Sequence, residues 1–410
     1  MTIYRARCIA PVATPPIDDG CIAVDGTRIT AVGPTADIRD HRPSGTPLID
    51  LGDVIVTPGF INAHAHLELT AYRDMIPAEP LWTWIEKLIE LRRRPHAARL
   101  EQEGIGAGID ESIAAGVTCI GDISRTGAAT AALAASPIRA VAFIELISGA
   151  REEPCDCASL IRAVETAKKM HQSDRLRVGV SPHAPYTVTP IDMMHTLEFA
   201  AEQQMPATIH CLETRDEADW LAGRPSGIQA FLSGVGSPNA QSDAAMQASG
   251  ALWGPAFEAA RPLLAHVNYP TSDDMSRIAN VGASVVFCPR AHRFYGHTNH
   301  PWRKLFSAGI NVCIGTDSAA CVPTLSIRDE LATLSGTDPD DLLRMATING
   351  AQALRWSDEI GTIEPGKRAD FVAIDLAEMP GDEPITAVAN PNCRVTAVAI
   401  GGKLISQEFR

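Results

Sequence analysis

Two histidines one residue apart, His64 and His66 in INAHAHLEL, are the first residues in this chain that could do chemistry. At that spacing they share one face of a strand and diverge on a helix. A bare His-x-His is weak evidence for a metal, because such pairs also occur in loops and on exposed strands. Its meaning depends on what else the fold brings to the same face. Residues of similar chemical type recur in one setting, the polar end of a short apolar run. They are Asp122, Glu145, His183, His210 with Glu213, His266, Arg290 with His292, and Asp317. The chain has 12 histidines, and His64, His66, His183, His210, His266 and His292 all occupy such ends. Scattered core histidines would not choose one edge of one sheet.

A mononuclear metal site takes three or four nitrogen or oxygen ligands and keeps an open position for water. His64, His66, His210 and Asp317 supply three imidazoles and one carboxylate. A divalent ion held there would lower the pKa of its water to roughly 7. A neighbouring group must then carry protons to the leaving group. Glu213, three residues past His210, is placed for that shuttle. Asp317 can accept the water's proton, and His266 can hydrogen-bond the nucleophile or a developing oxyanion. No lysine ends a run, which argues against a binuclear site bridged by a modified lysine. A His₃Asp set accepts zinc, iron or manganese alike.

Around these residues, Glu68 is expected to orient a ligand or contact substrate, and Trp82 is a candidate stacking platform. Arg290 and His292 are expected at the pocket rim. Asp122 and Glu145 read better as loop anchors, and Arg92–Arg94 as a solvated helix face.

The elements that must position these groups follow a regular rhythm. Apolar, β-branched runs at 56–66, 116–123, 138–147, 176–186, 206–214, 261–268, 283–290 and 311–318 alternate with amphipathic helical stretches. Such runs imply a parallel sheet covered on its faces. Eight units imply a (β/α)₈ TIM barrel, whose active sites form at the C-terminal strand ends. No Gly-x-Gly-x-x-Gly turn follows the first run, which disfavours an open doubly wound sheet. Residues 1–57 and 362–410 read as short strands with turns, and neither piece could bury a core alone. They are expected to pair into one composite β-sandwich domain beside a barrel at 58–361. The Gly-, Ser- and Ala-rich stretch 215–260 is expected to form helices and a mobile element over the mouth. DLLRMATINGAQAL is expected to be a helix packed on the barrel.

Composition narrows the partners. The chain has 410 residues, 45% hydrophobic and 20% charged, with a net charge of −14. That charge argues against nucleic acid and anionic membrane, and leaves a small-molecule substrate. No apolar stretch is long enough to span a bilayer, and MTIYRARCIA lacks a signal-peptide pattern. The 10 cysteines include no Cys-x-x-Cys pair, and Cys155-Asp156-Cys157 lacks further ligands. A reducing cytoplasm is expected.

PGFINAHAHLEL, SPHAPYTVTP, TIHCLET, AHVNYPTSDDM, CPRAHRF, AGINVCIGTDS and EPGKRADFVAID together resemble the amidohydrolase superfamily. The resemblance covers nearly the whole chain. His-x-x-Glu at 210–213 and SPHAPYT are similar to the branch of cytosine deaminase, guanine deaminase and s-triazine hydrolase. Within it, the pattern is nearest to S-adenosylhomocysteine/methylthioadenosine deaminases and aminodeoxyfutalosine deaminase. The resemblance implies one zinc, or iron, on His64, His66, His210 and Asp317. It also implies Glu213 as shuttle, His266 as a non-ligand catalytic residue, His183 facing the substrate ring, and a homodimer. Hydrolytic deamination of an adenine-type nucleoside is the expected reaction. Attack on a guanine- or triazine-type ring, a cyclic amide or a C–Cl bond is the alternative within the fold. A non-catalytic scaffold would require lost ligands, and none is lost. Leu67-Glu68 and CPRAHRFYGH depart from the adenosine-type pattern and tilt the expectation toward aminodeoxyfutalosine.

Overall fold

A computed structural model describes residues 1–40, 45–125, 127–148, 156–240, 244–376 and 383–407, so Cys155 lies outside it. Five short strands come first: β1 (Thr2–Ile9), β2 (Ile17–Asp25), β3 (Arg28–Pro34), β4 (Leu48–Asp50) and β5 (Val54–Pro58). Eight strands then match the eight apolar runs: β6 (Phe60–Ala65), β7 (Val117–Arg125), β8 (Arg139–Leu146) and β9 (Leu176–Pro182), then β10 (Thr208–Cys211), β11 (Leu263–His266), β12 (Val285–Phe287) and β13 (Val312–Ile314). The chain closes with β14 (Phe371–Asp375), β15 (Val395–Ile400) and β16 (Lys403–Gln407).

The eight central strands pair in parallel as two sets of four, β6 to β9 and β10 to β13. Isolated parallel bridges, Val180 to Ala207 and Ala65 to Asp317, join the sets on both sides and complete the ring. The fold is the expected (β/α)₈ barrel. Period-two alternation assigns each strand an inner and an outer face. On β8, Val141 and Phe143 belong to the inner core, while Ala140, Ala142, Ile144 and Leu146 pack outward under the helices. On β13 only Cys313 is inward, between Val312 and Ile314.

Closure brings β13 hard against β6. A Cβ on Gly315 would lie 2.7 Å from the His64 Cβ, so only glycine permits that approach. Asn62 braces the seam, donating to the Thr316 hydroxyl at 2.8 Å and accepting from the Thr316 amide at 3.1 Å.

Both chain ends enter one eight-stranded sheet, ordered β16-β15-β14-β5-β1-β2-β3 with β4 on β1. Continuous pairing therefore joins the strands expected to make a small sandwich. One face of β14 (Phe371, Ala373) packs into the core of this sheet, and the other (Val372, Ile374) packs on the barrel. Helices at Arg215–Leu221, Ile228–Val235, Ala244–Leu252 and Pro255–Ala260 fill the described part of 215–260. DLLRMATINGAQAL spans parts of two helices, Pro339–Ala346 and Ile348–Ala353, rather than one. The nine described cysteines are buried, and no described helix is long and apolar enough to cross a membrane.

An ion pair fastens the barrel to the terminal sheet. Arg139 at the start of β8 donates to Asp370 just before β14 at 3.1 Å, and both side chains are 1% exposed. Asp370 also accepts from the Gly401 amide at 2.7 Å. Arg139→Met leaves that carboxylate buried without its cation. The expected cost is about 3–5 kcal/mol, read as a lower midpoint in urea denaturation.

Candidate active site

The strand ends deliver the chemistry. His64 comes from β6 and His66 from the residue just past it, His210 from β10, His266 from the end of β11, and Asp317 three residues past β13. His64 has ring centroids within 5.0 Å of both His66 and His210, and 5.2 Å of His266. Two sets of donor atoms lie within 4.8 Å of one another: His64, His66 and His210, and His64, His266 and Asp317.

The tautomers are fixed by backbone carbonyls. Nδ1 of His66 lies 3.1 Å from the Ile123 carbonyl, and Nδ1 of His210 lies 3.0 Å from the His183 carbonyl. An N–H must donate in each contact, which leaves the lone pair on Nε2. Those two Nε2 atoms face each other across 3.3 Å. Two lone pairs at that range repel unless a positive centre accepts both. His64 is wholly buried, and neither of its ring nitrogens has a hydrogen-bond partner among the described residues. Burial, reinforced by neighbouring imidazoles, holds His64, His66 and His266 well below the usual histidine range; burial and His183 hold His210 at about 4. The rings are therefore neutral, the form that ligates a cation. Burial pushes the Asp317 carboxyl up to about 7, so a nearby cation would favour its charged form.

Glu213 stands 3.6 Å from His266 Nε2 through its Oε1. Burial, then repulsion from Asp317 and Glu217, raises its carboxyl well above the usual range. A carboxyl whose hold on a proton is strengthened in this way suits acid–base work.

Its backbone is clamped from both sides. Glu217 accepts from the Leu212 amide at 2.9 Å and the Glu213 amide at 2.8 Å. Asn268 donates to the Glu213 carbonyl at 2.7 Å and accepts from His292 Nδ1 at 3.1 Å. Thr214 caps the helix Arg215–Leu221, accepting from the Glu217 amide, so the helix begins just where the strand-end turn finishes. Thr214-x-x-Glu217 has the spacing of a capping box, yet the carboxylate reaches the amides ahead of the cap instead. Leu212, His266, Val267 and Asp317 all have positive φ, between 52° and 72°. Such backbone is rare for non-glycine residues, least of all Val, and concentrates where a site dictates side-chain direction. At His266 it matters directly, because Leu263 and Ala265 already occupy the inward positions of β11.

The surrounding residues divide differently from expectation. His183 is in place: its ring lies 4.7 Å from His210, and its Nδ1 meets the Thr187 hydroxyl at 2.7 Å. His292 is buried and supports Asn268 rather than standing at the rim. Arg290 is fully engaged within the protein. It donates to Glu330 at 2.7 Å, to the Thr324 hydroxyl and carbonyl, to the Ser326 carbonyl and to Asp329. Five N–H groups with these partners leave none for a substrate. Trp82 stacks on Phe231 at 4.9 Å and donates its indole N–H to Asp216 at 2.9 Å. It ties the helix Leu81–Arg92 to the 215–235 helices instead of offering a free platform. Glu68 is buried and paired with Arg92 at 2.8 Å, so its charge is answered inside the protein. Arg92 also pairs with Glu101, which corrects the reading of Arg92 as solvated; Arg93 and Arg94 are exposed. Asp122 accepts from the Leu67 amide at 2.8 Å and anchors the turn after β6.

Glu217 and Asn268 did not emerge from the sequence, because their partners are backbone groups. The helix-start spacing Thr214 to Glu217 was the one available signal for the first. Asn268 follows His266 by two residues with nothing to distinguish it.

Comparison with known proteins agrees with this geometry. The profile described as "Amidohydrolase family" matches residues 55–405, and "Imidazolonepropionase-like composite domain, bacteria" matches 20–41. A 5-methylthioadenosine/S-adenosylhomocysteine deaminase of Moorella thermoacetica is 30% identical, covering 97% of this chain and 92% of its own. An aminodeoxyfutalosine deaminase of Deinococcus radiodurans is 26% identical, covering 82% and 81%. The crystal structure of Helicobacter pylori aminofutalosine deaminase with methylthio-coformycin shares the fold, with a TM-score of 0.87, 20% identity and coverage of 99% and 100%. Strand ends, site geometry and a match over most of the length converge: this chain belongs to the amidohydrolase family.

Proposed function

We propose that this protein is a metal-dependent hydrolytic deaminase that releases ammonia from the amidine ring of an adenine-type nucleoside. The observation that carries the metal is the pair of Nε2 lone pairs 3.3 Å apart, with the unpartnered His64 nitrogens beside them. This donor set suits a divalent cation, with zinc as the reading we adopt. His64, His66, His210 and Asp317 would hold it. When bound, the ion acidifies a water enough to serve as nucleophile near neutral pH. The purine-like substrate follows from the deaminases that this chain resembles over nearly its whole length.

The chain's own groups then divide the work. Glu213 holds a proton in its buried carboxyl and passes it to the ring nitrogen as the carbon is attacked. Asp317 takes a proton from the attacking water. As the carbonyl forms, Glu213 regains a proton from the added hydroxyl, and the proton that Asp317 took from the water goes to the departing amino group, which leaves as ammonia. His266, next to Glu213, donates to the oxygen as negative charge develops on it. His183 faces the substrate ring. Clamping the Glu213 peptide group through Glu217 and Asn268 keeps the shuttle within reach of both proton sites.

Three results test this reading. Glu213→Gln should retain a stoichiometric ion by elemental analysis while ammonia release falls by roughly 10²–10⁴-fold; a near-normal rate would remove Glu213 from the shuttle. Dialysis against a chelator should abolish ammonia release, and added zinc should restore it. Glu217→Ala should lose about 10–100-fold in kcat/KM with its far-UV dichroism unchanged, and Glu217→Gln should recover part of the loss.

A further inference from the structure

Beyond Val141 and Phe143, the next inward position on β8 is Glu145, level with Arg125 on β7 and Ser181 on β9. Its carboxylate lies within 4.8 Å of ring nitrogens of both His183 and His210. It therefore borders the site on the His183 side, whereas Glu213 lies beside His266. The sequence suggested a loop anchor, but Glu145 anchors nothing. Its Oε1 is buried and has no hydrogen-bond partner among the described residues.

The other carboxylates around the mouth behave differently. Asp122 accepts from the Leu67 amide, Glu68 from Arg92, Glu217 from two amides, Asp317 from the Ser318 amide, and Glu330 from Arg290. Each of those has at least one donor built into the protein, although one oxygen of Asp122 and one of Glu68 are also buried without a partner, whereas Glu145 accepts no hydrogen bond from the described residues. A buried carboxylate oxygen without one is costly, and the cost is removed when a donor arrives from outside. An inward residue at the end of a barrel strand faces the mouth, where substrates of such barrels are held.

We propose that Glu145 is a specificity-determining residue, accepting hydrogen bonds from an ammonium or hydroxyl group on the part of the substrate away from the reacting carbon. This rests on the deaminase reading above. It also predicts discrimination: a substituent carboxylate in the same place would meet a like charge in a site of low dielectric.

The experiment uses the zinc-loaded enzyme and three matched ligands: adenosine, its 5′-amino-5′-deoxy derivative and its 5′-carboxylate. Turnover is measured for wild type and Glu145→Gln. Binding is measured by calorimetry on Glu213→Gln with and without Glu145→Gln, so that no turnover is needed. Wild type should favour the amino over the carboxylate ligand by at least tenfold, through KM and Kd rather than kcat. Glu145→Gln should erase most of that preference while its zinc content stays stoichiometric. If the hydroxyl is the recognised donor, adenosine binding weakens in Glu145→Gln while 2′,3′-dideoxyadenosine binding does not. An unchanged ligand ranking in Glu145→Gln overturns the proposal, and so does loss of zinc, which would make Glu145 a ligand holder. Absence of ammonia release from wild type would instead count against the deaminase reading, leaving the binding ratios to judge Glu145.

Discussion

Two imidazole nitrogens with opposed lone pairs 3.3 Å apart, inside a barrel with little water to screen them, impose the constraint that organises the mouth of this fold. The Ile123 and His183 carbonyls leave neither ring free to change tautomer and relieve the conflict. Burial denies them a second remedy, since protonating either would place an unsolvated charge among other histidines. The arrangement is stable only if it is completed by a cation. Much of the nearby structure reads as support for that geometry. The glycine at 315 admits β13 against β6, the Asn62–Thr316 brace locks the seam, and positive-φ residues turn His266 and Asp317 to the same centre.

Around that centre the protein separates two kinds of carboxylate. Glu217 and Asp122 are spent on backbone amides and fix the turns that carry the site. Glu213 and Asp317 keep oxygens directed at the histidines, and burial shifts both toward holding a proton near neutrality. Identical functional groups thus take opposite duties according to whether their oxygens meet backbone amides alone or also face the histidines. Pre-formed backbone restraint spares the reacting groups from reorganising during the reaction.

How legible this was depended on the direction in which each side chain acts. The polar ends of the apolar runs mark the strand ends, so His64, His66, His210 and Asp317 could be lined up from those runs, and eight runs sufficed for the barrel; the irregularity in β6 and the positive φ at His266 and Asp317 that turn them inward left no such mark. Residues that act on the backbone, such as Glu217 and Asn268, carry no periodic signature. Arg290 and Trp82 misled because their partners, Glu330 and Phe231, come from remote segments that no local pattern connects to them. Arg92 looked like one of three surface charges, and its burial reflects Glu68 and Glu101 converging on it after folding. The Glu145 position was visible from the strand; its lack of a partner was not.

The terminal sheet places β5 between β1, made before it, and β14, made after the whole barrel. During translation β5 therefore leaves the ribosome with one edge paired and the other bare, and it stays so while the whole barrel is produced. An open strand edge is a template for wrong pairing with a neighbouring nascent chain. β6, which carries His64 and is followed at once by His66, starts two residues after β5 ends. Both histidines thus follow directly on the strand whose last neighbour is made after the whole barrel. Pairing with β14, made only after the whole barrel, is the event that completes the sheet around β5.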